Sequence, residues 1–399
     1  MEFRRINGLP PYVFSIINRL TAEARRAGDD VIDLGFGNPD IPSPEVAVDK
    51  LAESARNPRN HRYSQSIGIP KLRLAISDLY LRRFGVTLDS ETEVVTTIGA
   101  KEGLSHLMWV LLGPGDTAMV PSPSYPIHIY APLFAGADVR QVRLVGHGES
   151  HEEAGGEAFF ANLVETWEAT WPKPRVIVLS FPHNPTTTCV DLAWMARLVD
   201  FARERGVVLV HDFAYSDTAF DGYMPPSILE VPGAKEVAVE LYTLTKSFSM
   251  AGWRVAFTVG NPQIVAALAK IKSYLDYGTF QPIQIAAIVA MNEAPEYPQV
   301  VNEIYQGRRD ALCDGLTRLG WNVPRPKGTM FVWARIPEAY AEMGSLEFAK
   351  FLVAEAKVST SPGVGFGPGG DDHVRFALVE NEQRIAQAVR NLKRALPKL

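Results

Sequence analysis

Tyr242-Thr-Leu-Thr-Lys-Ser-Phe-Ser-Met-Ala-Gly-Trp-Arg254 is the segment on which the fold turns. It joins two runs rich in β-branched and aromatic residues, Val237–Leu244 and Arg254–Val259, that read as strands. The connection is too short for a crossover helix, so the second strand is expected antiparallel to the first. Lys246 lies between the hydroxyls of Thr245 and Ser247, with Arg254 further along the same turn. An amine held at a strand end, hydrogen-bonded and near other cations, is kept partly neutral, as Schiff-base chemistry requires. For an arbitrary lysine a solvated hairpin is the safer reading; the rest of the chain decides against it here.

Outward from this segment, β-like runs alternate with amphipathic ones. Strands are expected at Val94–Ile98, Thr117–Pro121, Asp138–Leu144, Arg175–Ser180 and Val207–His211, with helices such as Lys101–Leu112, Glu157–Ala169 and Leu192–Glu204 between them. That rhythm predicts an α/β fold: a mainly parallel, doubly wound sheet with one antiparallel strand, and ligand groups at the strand carboxyl ends. Beyond residue 290 the order changes to helix (Gln299–Leu319), strand (Thr329–Ile336), helix (Ser345–Ala356), strand (Val374–Leu378) and a last helix to Leu396. A chain of 399 residues exceeds one comfortable core. A large domain over 46–290 and a smaller α+β domain over 1–45 and 291–399, with the helix Val13–Ala27, are therefore expected.

The net charge is −5 and no run of like charges occurs, which argues against nucleic-acid and membrane-surface partners. Cys189 and Cys313 are the only cysteines, so neither a disulfide framework nor a thiolate metal site is expected. The N-terminus lacks a signal-type apolar stretch and nothing later is long enough to span a bilayer, so a cytoplasmic protein is expected. His147 and His151 lie in the glycine-rich stretch Gly146–Gly156, which reads as a surface loop and not as a metal site.

Several strand ends carry chemistry. Asp212 and Tyr215 close one of them in Val210-His-Asp-Phe-Ala-Tyr215, and a carboxylate buried there needs a cation or strong donor, for which a protonated ring nitrogen would serve. Gly99-Ala-Lys-Glu-Gly103 sits where a strand hands over to a helix, so backbone N–H groups there are placed to hold a phosphate, a weak signal alone. Ser122-Pro-Ser-Tyr-Pro126 offers an aromatic face for a planar ring. Phe181-Pro-His-Asn-Pro-Thr-Thr187, taken alone, is a turn in which a cis Asn184–Pro185 bond is an option.

Together these segments resemble the fold-type I, pyridoxal 5'-phosphate-dependent aminotransferases of class I/II. The likeness runs through Leu34-Gly-Phe-Gly-Asn-Pro-Asp40, Tyr63-Ser-Gln-Ser-Ile-Gly-Ile-Pro70, Gly99–Gly103, Tyr125, Asn184-Pro185, Asp212 with Tyr215, Lys246 with Arg254, and His373-Val-Arg375. Leu9–Phe14, Pro123–Tyr130, Lys272–Phe280 and Gly344–Lys350 look like the bacterial glutamate–pyruvate (alanine-forming) branch, close to the LL-diaminopimelate aminotransferases.

The resemblance implies that Lys246 carries the coenzyme and moves the substrate's α-proton, that Asp212 pairs with the coenzyme's ring nitrogen, and that Tyr215 and Asn184 donate to its 3′-oxygen. It implies Tyr125 stacked on the ring, and a phosphate held by Thr243, Thr245 or both, by Arg254, and by the backbone of Ala100 and Lys101. Tyr63 would reach the phosphate across a homodimer. Arg375 would fork onto the substrate α-carboxylate, assisted by Asn184 and the Gly37 backbone, with Tyr12 beside it.

Departures are modest: threonines at 243 and 245 where serine is common, Ala100 and Ala256 at small-residue positions, and His183, expected to narrow the pocket. No arginine lies between Arg254 and Arg308, the stretch in which aspartate-specific members of the family it resembles carry one, so the resemblance counts against aspartate as the dedicated substrate. Tyr12, Tyr274 and Tyr277 would suit small side chains such as alanine's, although Tyr274 and Tyr277 are three apart on a helical pattern and at least one of them reads as packing. The activity expected is amino transfer between an L-amino acid and a 2-oxo acid, alanine or glutamate with pyruvate or 2-oxoglutarate. The alternatives are a carbon–sulfur β-lyase and an aminotransferase for aromatic, methionine or diaminopimelate substrates.

Overall fold

The computed structural model describes residues 2–3, 9–144 and 156–397. The surface loop expected over Gly146–Gly156, with His147 and His151, lies outside the described residues except for Gly156. Among the described residues twelve strands are numbered in chain order: β1 Ile32–Asp33, β2 Val94–Thr97, β3 Thr117–Ser122, β4 Asp138–Arg143, β5 Val176–Leu179, β6 Val208–Asp212, β7 Ala238–Thr243, β8 Ala256–Gly260, β9 Phe331–Arg335, β10 Val358–Ser359, β11 Ser361–Pro362 and β12 His373–Ala377.

Seven of them form one sheet in the order β2-β8-β7-β6-β5-β3-β4. All neighbours pair parallel except β8, which is antiparallel to both β7 and β2. Thr243 pairs with Ala256, so the segment from Leu244 to Val255 is a closed excursion from the carboxyl end of β7 back to the adjoining β8. Helices cover both faces, so the strands are largely buried, except β4 at the edge, where Asp138, Arg140, Gln141 and Arg143 are exposed. Along β5, Ile177 and Leu179 join one buried cluster while Val176 and Val178 join the other, the two-residue alternation expected of a pleated strand.

A third cluster lies on the antiparallel sheet β11-β12-β9, where Val332, Ala334, Val374 and Phe376 pack with Leu312 and Leu316 of the helix Tyr297–Arg318 and with Ile385, Ala388 and Leu392 of the helix Glu382–Ala395. Ile32 and Leu34 belong to it as well, and β1 pairs parallel with β10, so the N-terminal segment is sewn to the C-terminal part. Among the described residues no helix is long and apolar enough to cross a membrane.

Two local readings are corrected. Arg254 does not begin a strand: it stands before β8 with φ of +59°, a left-handed conformation a bulky side chain adopts only under constraint. The helix ending at Leu275 buries Leu268 and Lys272; Tyr274 lies two residues beyond Lys272, about 200° around the helix, and is turned outward.

Candidate active site

The carboxyl ends of β3, β6 and β7 converge on a cavity of about 280 Å³. Thr243, the last residue of β7, accepts the Thr245 N–H at 3.2 Å and so caps the helical turn Leu244–Ser247. That turn aims Lys246 into the cavity, where Nζ donates to the carbonyl oxygen of Gly37 at 2.8 Å. Burial, reinforced by the positive charges of Arg375 and Arg254, lowers the Lys246 amine from 10.5 to about 7. The next residue, Ser247, is tied behind the turn to Asp217 at 2.7 Å.

At the end of β6, Asp212 accepts from His128 Nε2 at 2.8 Å through Oδ2. Ser124 lies 2.8 Å from the other ring nitrogen. With the serine hydroxyl donating to Nδ1, the histidine carries its proton on Nε2, toward Asp212. Asp212 Oδ1 is buried with no hydrogen-bond partner. A carboxylate oxygen left bare in this way is costly, and a donor entering the cavity offsets that cost. Tyr125 and Tyr215 line the same wall, and burial raises the ionisation of both phenols, keeping them neutral donors.

The helix Ala100–Leu111 starts at the cavity with no side-chain cap, so its first amides have no intrahelical acceptor. Ahead of it Gly99 adopts φ of +84°, and a Cβ there would lie 1.9 Å from Arg254 Nη2. Glycine is what lets the guanidinium lie against the helix start. The hydroxyls of Thr243 and Thr245 are 2.8 Å apart at the same place; Thr243 also donates to the Val255 carbonyl at 3.1 Å, which leaves Thr245 the freer of the two. Amides, a guanidinium and a hydroxyl gathered at a helix N-terminus suit a phosphate.

Across the cavity, Arg375 on β12 packs between Phe331 and Phe366, its guanidinium carbon 3.8 and 4.6 Å from the two ring centroids. Nη1 donates to Asn184 Oδ1 at 2.7 Å, and Nη2 reaches Ser361 Oγ at 3.2 Å. Nε is buried without a partner. Burial lowers this guanidinium to about 10, still a cation at neutral pH. A fixed cation with an unsatisfied donor suits a carboxylate.

Of the residues singled out in the sequence, Gly37, Ala100, Lys101, Tyr12, Tyr125, Asn184, Asp212, Tyr215, Thr243, Thr245, Lys246, Arg254 and Arg375 all line this cavity. Tyr63 does not: it is 83% exposed and its ring lies against Tyr277 at 4.4 Å. Tyr274 and Tyr277 are exposed and do not line the cavity of this chain, contrary to the sequence reading. His183 does not narrow it either; it is buried in its own turn, with Nδ1 2.8 Å from Thr186 Oγ1. The Asn184–Pro185 bond is cis. Sequence reasoning gave no role to His128, Ser124, Phe331 or Phe366. His128 stands in a segment quoted above, but only its contact with Asp212, distant in the chain, singles it out.

The bare Asp212 oxygen, the neutral-leaning lysine, the aromatic wall and the phosphate-type cradle fit pyridoxal 5'-phosphate in one orientation: ring nitrogen at Asp212, phosphate at the helix start. Residues 29–392 match the family described as aminotransferase class I and II. The chain is 52% identical to the glutamate-pyruvate aminotransferase AlaC of Escherichia coli, over 98% of this chain and 93% of that one. It is 40% identical to the LL-diaminopimelate aminotransferase of Desulforudis audaxviator, over 99% and 98% of the two chains. The substrate-bound structure of BacF from Bacillus subtilis superposes with a TM-score of 0.91 at 36% identity, covering 98% of this chain and 97% of that one.

Proposed function

Because this chain belongs to the class I and II aminotransferases, enzymes that depend on pyridoxal phosphate, we propose that it exchanges the amino group between alanine or glutamate and pyruvate or 2-oxoglutarate. The observation that carries the reading is the pairing in one cavity of a buried lysine poised near pH 7 with the fixed cation of Arg375. For the substrate choice, support comes from the 52% identity to a glutamate-pyruvate aminotransferase and from a cavity wall of Tyr12, Phe14, Ile17 and Phe366 that suits a small side chain.

Arg375 holds the substrate α-carboxylate, and Asn184, bonded to Nη1, keeps the guanidinium plane fixed. Lys246 would take the α-proton on Nζ and pass it to the coenzyme's C4′ within the same half-reaction, moving a proton the opposite way in the converse one; the Gly37 carbonyl orients that amine in this structure. Asp212 Oδ1 would hold a proton on the coenzyme's ring nitrogen, with His128 and Ser124 fixing the carboxylate from behind. Among the residues that line the cavity, Tyr125 would cover the ring face, Tyr215 and Asn184 would donate to its 3′-oxygen, and Thr245, Thr243, Arg254 and the amides of Ala100 and Lys101 would hold the phosphate. When bound, the coenzyme supplies an electron sink for the pair left at the α-carbon.

The proposal includes a large domain over 46–290 and a smaller one over 1–45 and 291–399, with the substrate between them. It also includes a cytoplasmic homodimer in which Tyr63 completes the partner's phosphate site. The exposed rings of Tyr63, Tyr274 and Tyr277 support such a covered face.

A half-reaction tests the activity. Coenzyme-loaded protein is mixed with single amino acids and no oxo acid, and the coenzyme absorbance is followed. L-Alanine or L-glutamate is expected to convert the coenzyme to its amine form, and pyruvate or 2-oxoglutarate to restore it. Release of ammonia and pyruvate from a sulfur amino acid, without such cycling, overturns the proposal in favour of a β-lyase.

A further inference from the structure

The helix start that cradles the phosphate carries an acid in its first turn. Glu102 Oε2 accepts the Ile98 N–H at 2.8 Å. Its other oxygen accepts from Lys272 Nζ at 3.0 Å and lies 2.6 Å from His106 Nδ1. A carboxylate in a first turn favours a bare helix, but it opposes a phosphate dianion that shares the same N-terminus. The cradle as described therefore contains a conflict of charge.

Lys272 answers it. The residue comes from the helix Pro262–Leu275, its side chain is wholly buried, and Nζ bonds to Asp276 at 2.9 Å as well as to Glu102. An ammonium is driven out of such a place unless paired, and the two carboxylates pair it. Asp276 is fixed in turn by accepting the Gly278 N–H at 2.6 Å. Glu102, His106 and Asp276 approach within 4.8 Å, a spacing that also suits a metal ion, but the cation bonded to both acids is the lysine ammonium.

Resting on the proposal that this helix start holds the coenzyme's phosphate, we infer that Lys272 is a positioning residue for that phosphate. Its buried charge cancels Glu102 at the cradle, and its bridge to Asp276 holds the Glu102 carboxylate on the Ile98 amide. Burial raises the Glu102 carboxyl, yet the contact with His106 and the charge of Lys272 outweigh it and hold the group below its ordinary value.

The test compares apoprotein affinity for pyridoxal 5'-phosphate and for pyridoxal, which lacks the phosphate, by absorbance titration. K272M is expected to weaken pyridoxal phosphate binding by roughly tenfold or more while leaving pyridoxal within about threefold. E102Q, which keeps an acceptor for Ile98, is expected to raise the preference for the phosphorylated form, and E102Q/K272M to return it to about the native value. That ordering by local charge is one that mere loss of packing does not produce. Equal weakening of both ligands by K272M, or a fall in preference with E102Q, overturns the inference. If K272M does not fold, E102Q decides alone: a higher preference supports the inference, an unchanged or lower one overturns it. Native protein that binds both ligands equally defeats the cradle reading itself, an outcome distinct from a native preference that K272M leaves intact.

Discussion

At Lys246 the sequence predicted an amine kept partly neutral, and the structure supplies the cause: burial first, then the charges of Arg375 and Arg254. The sign for stability follows. Between pH 10.5 and about 7 the unfolded chain binds a proton that the native amine refuses, so stability falls as pH drops through this window and levels off below it. Lys246→Met in the apoprotein removes that penalty. It is expected to unfold at higher temperature than the native apoprotein near pH 7.5, with the gap closing above pH 10.5, and to lose turnover by orders of magnitude; scanning calorimetry across pH and a steady-state assay check both halves. Labelling the native apoprotein with an amine reagent should give a midpoint near pH 7 for Lys246, and Arg375→Met should move that midpoint upward because a cationic neighbour is gone. A native midpoint near 10 would mean that the amine is solvated. Arg375 was legible as a residue, but its setting was not: the sandwich by Phe331 and Phe366 joins three residues whose contact no local pattern encodes.

Among the elements, strand runs and their antiparallel exception were legible because a strand buried on both faces is written as a short β-branched run, and because a short excursion forbids a crossover. The sequence left the backbone of the site unread. Nothing in Gly-Trp-Arg254 announces a left-handed arginine, yet it is this conformation that lays the guanidinium against Gly99. Gly99→Ala adds a methyl group 1.9 Å from Arg254 Nη2 at a φ of +84°, so both guanidinium and helix start must shift. The expected result is a loss of roughly a hundredfold in pyridoxal phosphate affinity with little change in far-ultraviolet circular dichroism, measured by titrating apoprotein. The helix Pro126–Ala135 makes a comparable demand through His128. His128→Ala leaves both Asp212 oxygens without a protein donor, and kcat is expected to fall about tenfold or more, with a smaller change in KM because Arg375 is untouched. A KM effect with kcat preserved would place the role of His128 in substrate binding instead.

For the whole molecule, the cavity draws its apolar wall from the cluster on β9, β11 and β12, through Tyr215 and Phe331, and from one of the clusters flanking the seven-stranded sheet, through Tyr125 and Ile127, so the site uses chain positions from Tyr12 to Arg375. A site spread in this way has room for one more contributor, and Tyr63, exposed and paired with Tyr277 outside the cavity, is the residue proposed to enter the neighbouring subunit. Light scattering is expected to give twice the 44.0 kDa chain mass. Subunit complementation is the sharper measurement. Lys246→Ala homodimers lack the amine, and Tyr63→Ala homodimers lack the crossing phenol, so each alone should be weak or inactive. In a hybrid, the chain that keeps Lys246 receives Tyr63 from the other chain, and one of the two sites is native in every group. Random reassortment makes half the dimers hybrid, so the mixture should recover about a quarter of native activity. Recovery no greater than the sum of the two homodimers would place Tyr63 in its own subunit's site or in none.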